Sequence, residues 1–275
     1  MRRLMLATVI LTVAVTVVAQ EPPQTQVHDA CMNTEAIARL GSQPLGQYLQ
    51  SVTALATPHS IAAAVGELHR FGIFAIFRVH DQPVPERQRD YATQHYAETL
   101  FVLLGDPPQR AAQEARNAIN LAVSLTPPPG AEPLRPLTLA QLRTLAPNFD
   151  WRAYWGTRGV PDGGKLVASP TALLLLNGRM ALATNADMDA WHSYLRWCWL
   201  RATAPLLSPP FVDAYFNFRG RKPPARAALC ASAVAAFPAA AFADVPLRRD
   251  DFFGDMLRLH AWAARQVWVH LAGGS

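Results

Sequence analysis

Eight histidines are the first place to look for chemistry: His28, His59, His69, His80, His95, His192, His260 and His270. Two histidines four residues apart on a helix present both imidazoles on one face, and a glutamate between them can act as base on a metal-bound water. No two histidines here have that spacing; the closest pairs, His59 with His69 and His260 with His270, are ten residues apart. The expected metal-ligand set is therefore none, and helical histidines such as His69 and His260 read as packed or half-exposed side chains. Gly-x-Ser-x-Gly, the strained turn that exposes a nucleophilic serine, does not occur. Gly163-Gly164-Lys165 lacks the upstream glycine and the following hydroxyl of a phosphate loop. Asp250 and Asp251 are adjacent, and neighbours on a helix do not face one another. They read as an N-terminal cap with a favourable dipole interaction. The expected catalytic set is also none. Trp191, Tyr194, Trp197 and Trp199 fall within one helical stretch, a pattern that places large aromatics in a core.

Three cysteines carry more information: Cys31, Cys198 and Cys230. In an oxidising compartment they allow one disulfide by any of three pairings, with one thiol left over. The N-terminus argues for that compartment. Met1-Arg2-Arg3 is followed by an apolar or small run from Leu4 to Ala19, the make-up of a secretory signal peptide. Val17 and Ala19 stand where a signal peptidase reads, which predicts cleavage between Ala19 and Gln20. The alternative is an uncleaved anchor, but the run is short of the roughly 20 residues a spanning helix needs. Gln20-Glu21-Pro22-Pro23 then makes a polar, helix-breaking exit. No later segment reaches spanning length without a charge, so no membrane contact is expected after cleavage. The expected location is the periplasm or the medium.

The elements that would position any site are mostly helices. The composition is 51% hydrophobic and 16% charged, which is globular rather than disordered. Alanine is abundant and isoleucine scarce, which favours helix over strand. The net charge of +5 is mild, and the arginines are scattered rather than gathered into a stripe with aromatics, so nucleic-acid binding is not expected. Residues 20–30 read as a polar leader. Helical periodicity predicts helices over 44–55, 60–71, 86–104, 107–125, 138–146, 148–157, 169–178, 187–204, 209–218, 225–242 and 248–271. Asp187 reads as a cap for its helix, and Asp250 or Asp251 as a cap for the last one. The apolar run 72–79 is the best strand candidate, ended by Pro83 and Pro85. Thr126-Pro127-Pro128-Pro129-Gly130 is the clearest break in the chain. The fold class is all-α, with room for one small hairpin near 72–80.

Taken in order, several segments resemble the N-terminal helical domain of the neprilysin and endothelin-converting-enzyme family of zinc metallopeptidases, in its bacterial form. They begin with Cys31-Met32-Asn33-Thr34-Glu35-Ala36-Ile37, then Pro44-Leu45 and Glu67-Leu68-His69-Arg70-Phe71-Gly72. Leu137-Thr138-Leu139-Ala140-Gln141-Leu142 and Ala146-Pro147-Asn148-Phe149-Asp150-Trp151 follow. Trp191, Tyr194-Leu195-Arg196-Trp197, Ala204-Pro205 and Phe211-Val212-Asp213-Ala214-Tyr215-Phe216-Asn217-Phe218 complete the set. The resemblance implies that residues 31–275 form such a helical domain. It also implies a disulfide between Cys31 and Cys230, because those two positions match cysteines paired in secreted members, leaving Cys198 as a free buried thiol.

The departures are as informative. The family's catalytic part carries His-Glu-x-x-His, a downstream glutamate ligand and a substrate-gripping Asn-Ala-aromatic segment, and none of these occurs here. Against the family pattern, no counterpart is expected for the segment that normally precedes the Cys31 region or for the one that normally follows residue 80. The family uses zinc, but this chain lacks the ligands, so no cofactor is expected. Three readings follow. The first is an exported relative without hydrolytic activity that binds peptides or another peptidase. The second is an accessory part of a zinc metalloendopeptidase whose catalytic chain is encoded separately. The third is a non-functional remnant.

Overall fold

The computed structural model describes residues 22–76, 91–158, 166–183, 185–248 and 250–271. The signal peptide expected over 1–19, the Gly163-Gly164-Lys165 stretch, His80 and the end of the 72–79 run lie outside these residues.

The chain is helical in the order α1 Pro23–Met32, α2 Thr34–Leu40, α3 Gln43–Thr53, α4 Pro58–Arg70, α5 Tyr91–Leu104, α6 Pro108–Ser124, α7 Leu139–Leu145, α8 Trp151–Arg158, α9 Pro170–Ala181, α10 Asn185–Thr203, α11 Pro209–Phe218, α12 Arg226–Ala235, α13 Ala239–Asp244 and α14 Phe252–Leu271. Proline at the first or second position opens α1, α3, α4, α6, α9 and α11, where its missing N–H costs nothing. Reciprocal side-chain caps fix two more starts. Ser60 N–H donates to Thr57 Oγ1 at 3.2 Å while Thr57 N–H donates to Ser60 Oγ at 3.0 Å. Gln141 and Thr138 make the same exchange at 3.3 and 2.9 Å. Asp251 caps α14 by accepting from Gly254 N–H at 3.0 Å.

The main core gathers around α10. Trp191, Leu195, Cys198 and Leu200 are buried there, with α3, α4, α5 and α6 packed about them and α8 packed on α4. It draws residues from both sides of the Pro-rich stretch at 126–130, which leads from α6 into the first strand. A second cluster joins the two ends of the described chain: Val27 and Cys31 of α1 meet Cys230, Phe242, Phe252 and Met256. The one sheet among the described residues is β1 Arg135–Leu137 antiparallel to β2 Leu166–Ala168, with Leu137 opposite Leu166.

Four sequence expectations need correction. Residues 23–32 are helix, not leader, because Val27, Ala30 and Cys31 form an apolar strip against α12 and α14. Residues 73–76 form no strand. Their backbone is held by α4 instead: Ile73 N–H donates to the Leu68 carbonyl at 3.0 Å, and Ala75 N–H to His69 Nε2 at 3.2 Å. The helix expected over 225–242 is two, parted before Pro238, which cannot donate a helical hydrogen bond. Asp187 lies inside the first turn of α10 rather than ahead of it.

Candidate functional site

The histidines are dispersed and most are committed to structural contacts. His69 is fully buried, with Nδ1 3.0 Å from the Tyr154 hydroxyl. His192 Nε2–H donates to the Leu55 carbonyl at 3.1 Å. His59 Nδ1 meets Asp150 Oδ2 at 2.7 Å, and His28 lies 3.3 Å from Asp29. His95 stacks on Tyr91, and His260 sets its ring edge-on to Phe237. Among the described residues no three histidine, cysteine, aspartate or glutamate side chains cluster closely enough to hold a metal.

The cysteines are structural. Cys31 and Cys230 are bonded, with their Cα atoms 5.6 Å apart, and Arg226 Nε–H donates to the Cys31 carbonyl at 2.8 Å. Cys198 is free and buried among the α10 aromatics. Burial pushes its thiol up to about 11, so it stays protonated and inert toward electrophiles at neutral pH.

The larger of two concavities among the described residues comes from two helices with the same polar spacing. On α6, Ala111, Ala115 and Ala118 form a stripe of small residues that packs toward α10, while Arg110, Gln113, Glu114 and Asn117 fall at i, i+3, i+4 and i+7 on the adjoining face. On α10, Asp189, His192, Ser193 and Arg196 repeat that spacing. The two polar rows diverge above the packed stripes and enclose a cleft of about 640 Å³, closed by Leu49 and Thr53 of α3 and Leu104 of α5.

A charge network forms its floor. Glu114 and Arg196 are 9% and 8% exposed and are bonded to each other through Glu114 Oε2 and Arg196 Nη1. Arg196 Nη2–H donates to Asp106 Oδ2 at 2.7 Å, and Arg110 Nε–H to the second Glu114 oxygen at 2.7 Å. The Glu114 hydrogen bond and charge, then Asp106, raise the Arg110 guanidinium above its usual value. Each buried charge thus has a hydrogen-bonded counter-charge, the condition under which burial is tolerable. At the rim Gln113 Nε2–H donates to Asn117 Oδ1 at 2.9 Å. The Asp189 side chain is exposed. Amides, guanidiniums, carboxylates, the His192 imidazole and the Ser193 hydroxyl line one trough, a donor-and-acceptor set suited to an extended polar chain. A second cavity, near Asn33, Pro44 and Phe253, is only about 30 Å³ and is too small for a peptide side chain.

No sequence reading singled these cleft residues out. Their one signal is the matched i, i+3, i+4, i+7 polar row on each of two helices, which by itself means a solvated face.

A family model described as peptidase family M13, in its N-terminal form, matches residues 80–245, more than half the chain. No curated protein matches the sequence. Among solved structures, the fold is similar to the zinc metalloprotease Zmp1 of Mycobacterium tuberculosis in its open state, at 19% identity and a TM-score of 0.74 over 90% of this chain and 55% of that one. The inhibitor complex of Zmp1 gives 18% identity and 0.68, over 90% of this chain and 53% of that one. PepO from Lactobacillus rhamnosis HN001 gives 15% identity and 0.59, over 80% of this chain and 42% of that one. The chain spans about half the length of these structures.

Proposed function

The chain belongs to peptidase family M13, and from that premise we propose that it is an exported helical domain that binds peptides or an extended protein segment without hydrolysing them. The observation that carries this is the α6–α10 cleft of about 640 Å³, with hydrogen-bonding side chains on both walls. His-Glu-x-x-His is absent from the 275 residues, so the family's usual means of activating water is not encoded in them. Export to the periplasm or the medium is supported by the Cys31–Cys230 bond, since disulfides persist in oxidising compartments, and by the apolar N-terminal run. Among the described residues no helix is long and apolar enough to cross a membrane.

The test is to incubate the purified chain, without residues 1–19, with a mixed peptide pool and to read both retained and cut peptides by mass spectrometry. Retention of uncut peptides, reduced in Asp189→Ala and Arg110→Ala, is the expected result. Cleavage that a chelator abolishes would overturn the proposal. A second reading, an accessory subunit completed by a separate catalytic chain, rests on the membership in peptidase family M13. Co-purification with a zinc-bearing protein would select it.

A further inference from the structure

On the side of α10 marked by Trp197, the structure gathers hydrogen-bond donors without acceptors. Tyr96 of α5 is 4% exposed, and its hydroxyl has no hydrogen-bond partner among the described residues. Its ring stacks flat on Phe218 at 4.4 Å and meets the edge of Trp197 at 5.4 Å. Trp197, still more deeply buried, also has an unpartnered Nε1–H. A buried donor left unpaired keeps an uncompensated desolvation penalty, and native folds hold few of them. Beside this pair lie two guanidiniums. Arg201, one turn beyond Trp197, stands 5.8 Å from the Trp197 ring centre. Arg219, next to Phe218, lies 3.8 Å over Tyr215. These are the two charges that act on the Tyr96 hydroxyl.

Neither arginine has a carboxylate partner among the described residues, although Arg110, Arg196 and Arg258 each have two. Partial burial depresses the Arg219 guanidinium; Tyr96 opposes this, and the positive charges of Arg221 and Arg201 add to it. Three like charges over unpaired donors are unfavourable unless something negative joins them.

We propose that the junction of α5, α10 and the C-terminal end of α11 binds an oxyanion, a phosphate or carboxylate group, held between Arg201 and Arg219 with the Tyr96 hydroxyl as the neutral donor beneath. Phe218 covers the Tyr96 ring and is itself exposed, so its side chain is the one that swings aside when the anion reaches the hydroxyl. The site is separate from the α6–α10 cleft, which Arg196 faces, and does not depend on peptide binding there.

Titration calorimetry on the chain lacking residues 1–19, at constant ionic strength set with chloride, tests this with two probes: inorganic phosphate and an acetylated diglutamate. Saturable binding of one of them is expected, and whichever binds tighter identifies the group. Arg201→Gln and Arg219→Gln should each weaken it about tenfold, the scale of one charge-assisted hydrogen bond. Tyr96→Phe should weaken it a few-fold, while Arg143→Gln on α7, distant in sequence and exposed, should leave it unchanged. Circular dichroism confirms that each variant is folded. Absence of saturable binding by both probes, unaltered affinity in the Arg219 variant, or equal loss in the Arg143 control would overturn the site. Unaltered affinity in Tyr96→Phe would overturn the placement of the anion against the hydroxyl.

Discussion

Asp150 shows how much one side chain can organise. Its Oδ1 accepts from Ala153 N–H at 2.9 Å and caps α8, while its Oδ2 meets His59 of α4. Partial burial opposes ionisation, but the Ala153 hydrogen bond and then His59 outweigh it, so the carboxyl titrates below its ordinary value of 3.8. A depressed pKa contributes stability that is present above the unfolded value and is lost as pH falls through the folded one. Urea unfolding of Asp150→Ala should show a loss of about 1 kcal/mol at pH 7. Between pH 4 and lower values the variant should lose less stability than the parent, and Asp150→Asn should keep most of the cap. A sequence reading places this aspartate near a helix start without revealing His59, 91 positions away. Cys198 makes the complementary point. Its place as a free buried thiol is what the family resemblance implies, whereas the raised thiol pKa follows from the packing of α10 in the core.

At the scale of elements, α4 and α8 come closest. Gly66 faces α8 so tightly that an added Cβ would lie 2.0 Å from Thr157 Oγ1 and 2.5 Å from the Tyr154 carbonyl oxygen. Gly66→Ala should therefore destabilise by about 1–3 kcal/mol or more through overpacking, despite alanine's better helix propensity, and thermal unfolding would read it. The α6–α10 seam carries the buried network instead. Arg196→Met should cost at most about 3–5 kcal/mol, because Glu114 keeps Arg110 while Asp106 loses its hydrogen-bonded arginine, and the double variant Glu114→Leu with Arg196→Met should recover part of that loss. A double-mutant cycle measures the difference. Helices with a clear apolar stripe, such as α4 with Ile61, Val65 and Leu68, are legible from sequence. The α1 helix is not, because only its contacts with α12 and α14 supply an apolar side. Ile73 and Ala75 mimic a strand, yet they are an irregular segment buried against α4 and α10, where the Tyr194 hydroxyl donates to the Ala75 carbonyl. β1 and β2 escape notice because each is three residues long and β1 contains Pro136. The cleft escapes for a related reason: two ordinary polar faces become a trough only once α6 and α10 are seen side by side.

Across the whole molecule, the Cys31–Cys230 bond closes a loop of sequence separation 199 and ties α1 to α12 inside the second apolar cluster. By the loop-entropy account, which is debated, this limits the unfolded chain by about 5 kcal/mol at most. Replacing either cysteine by serine should lower the urea midpoint by the equivalent of about 2–5 kcal/mol, and reduction of the parent protein should approach the same value. The all-α class and the order of the family-like segments are readable along the chain; the meeting of its first and last helices around one bond is a property of the assembled fold. The bridge also governs how the molecule responds to tension. Pulled in an optical trap by handles at Gln24 and Ala264, the oxidised chain can pay out only the residues outside the loop. Adding a reductant under load should release the loop of separation 199 in a later extension of about 700 Å at full stretch, so the bond acts as a mechanical fuse that keeps most of the domain out of the line of force.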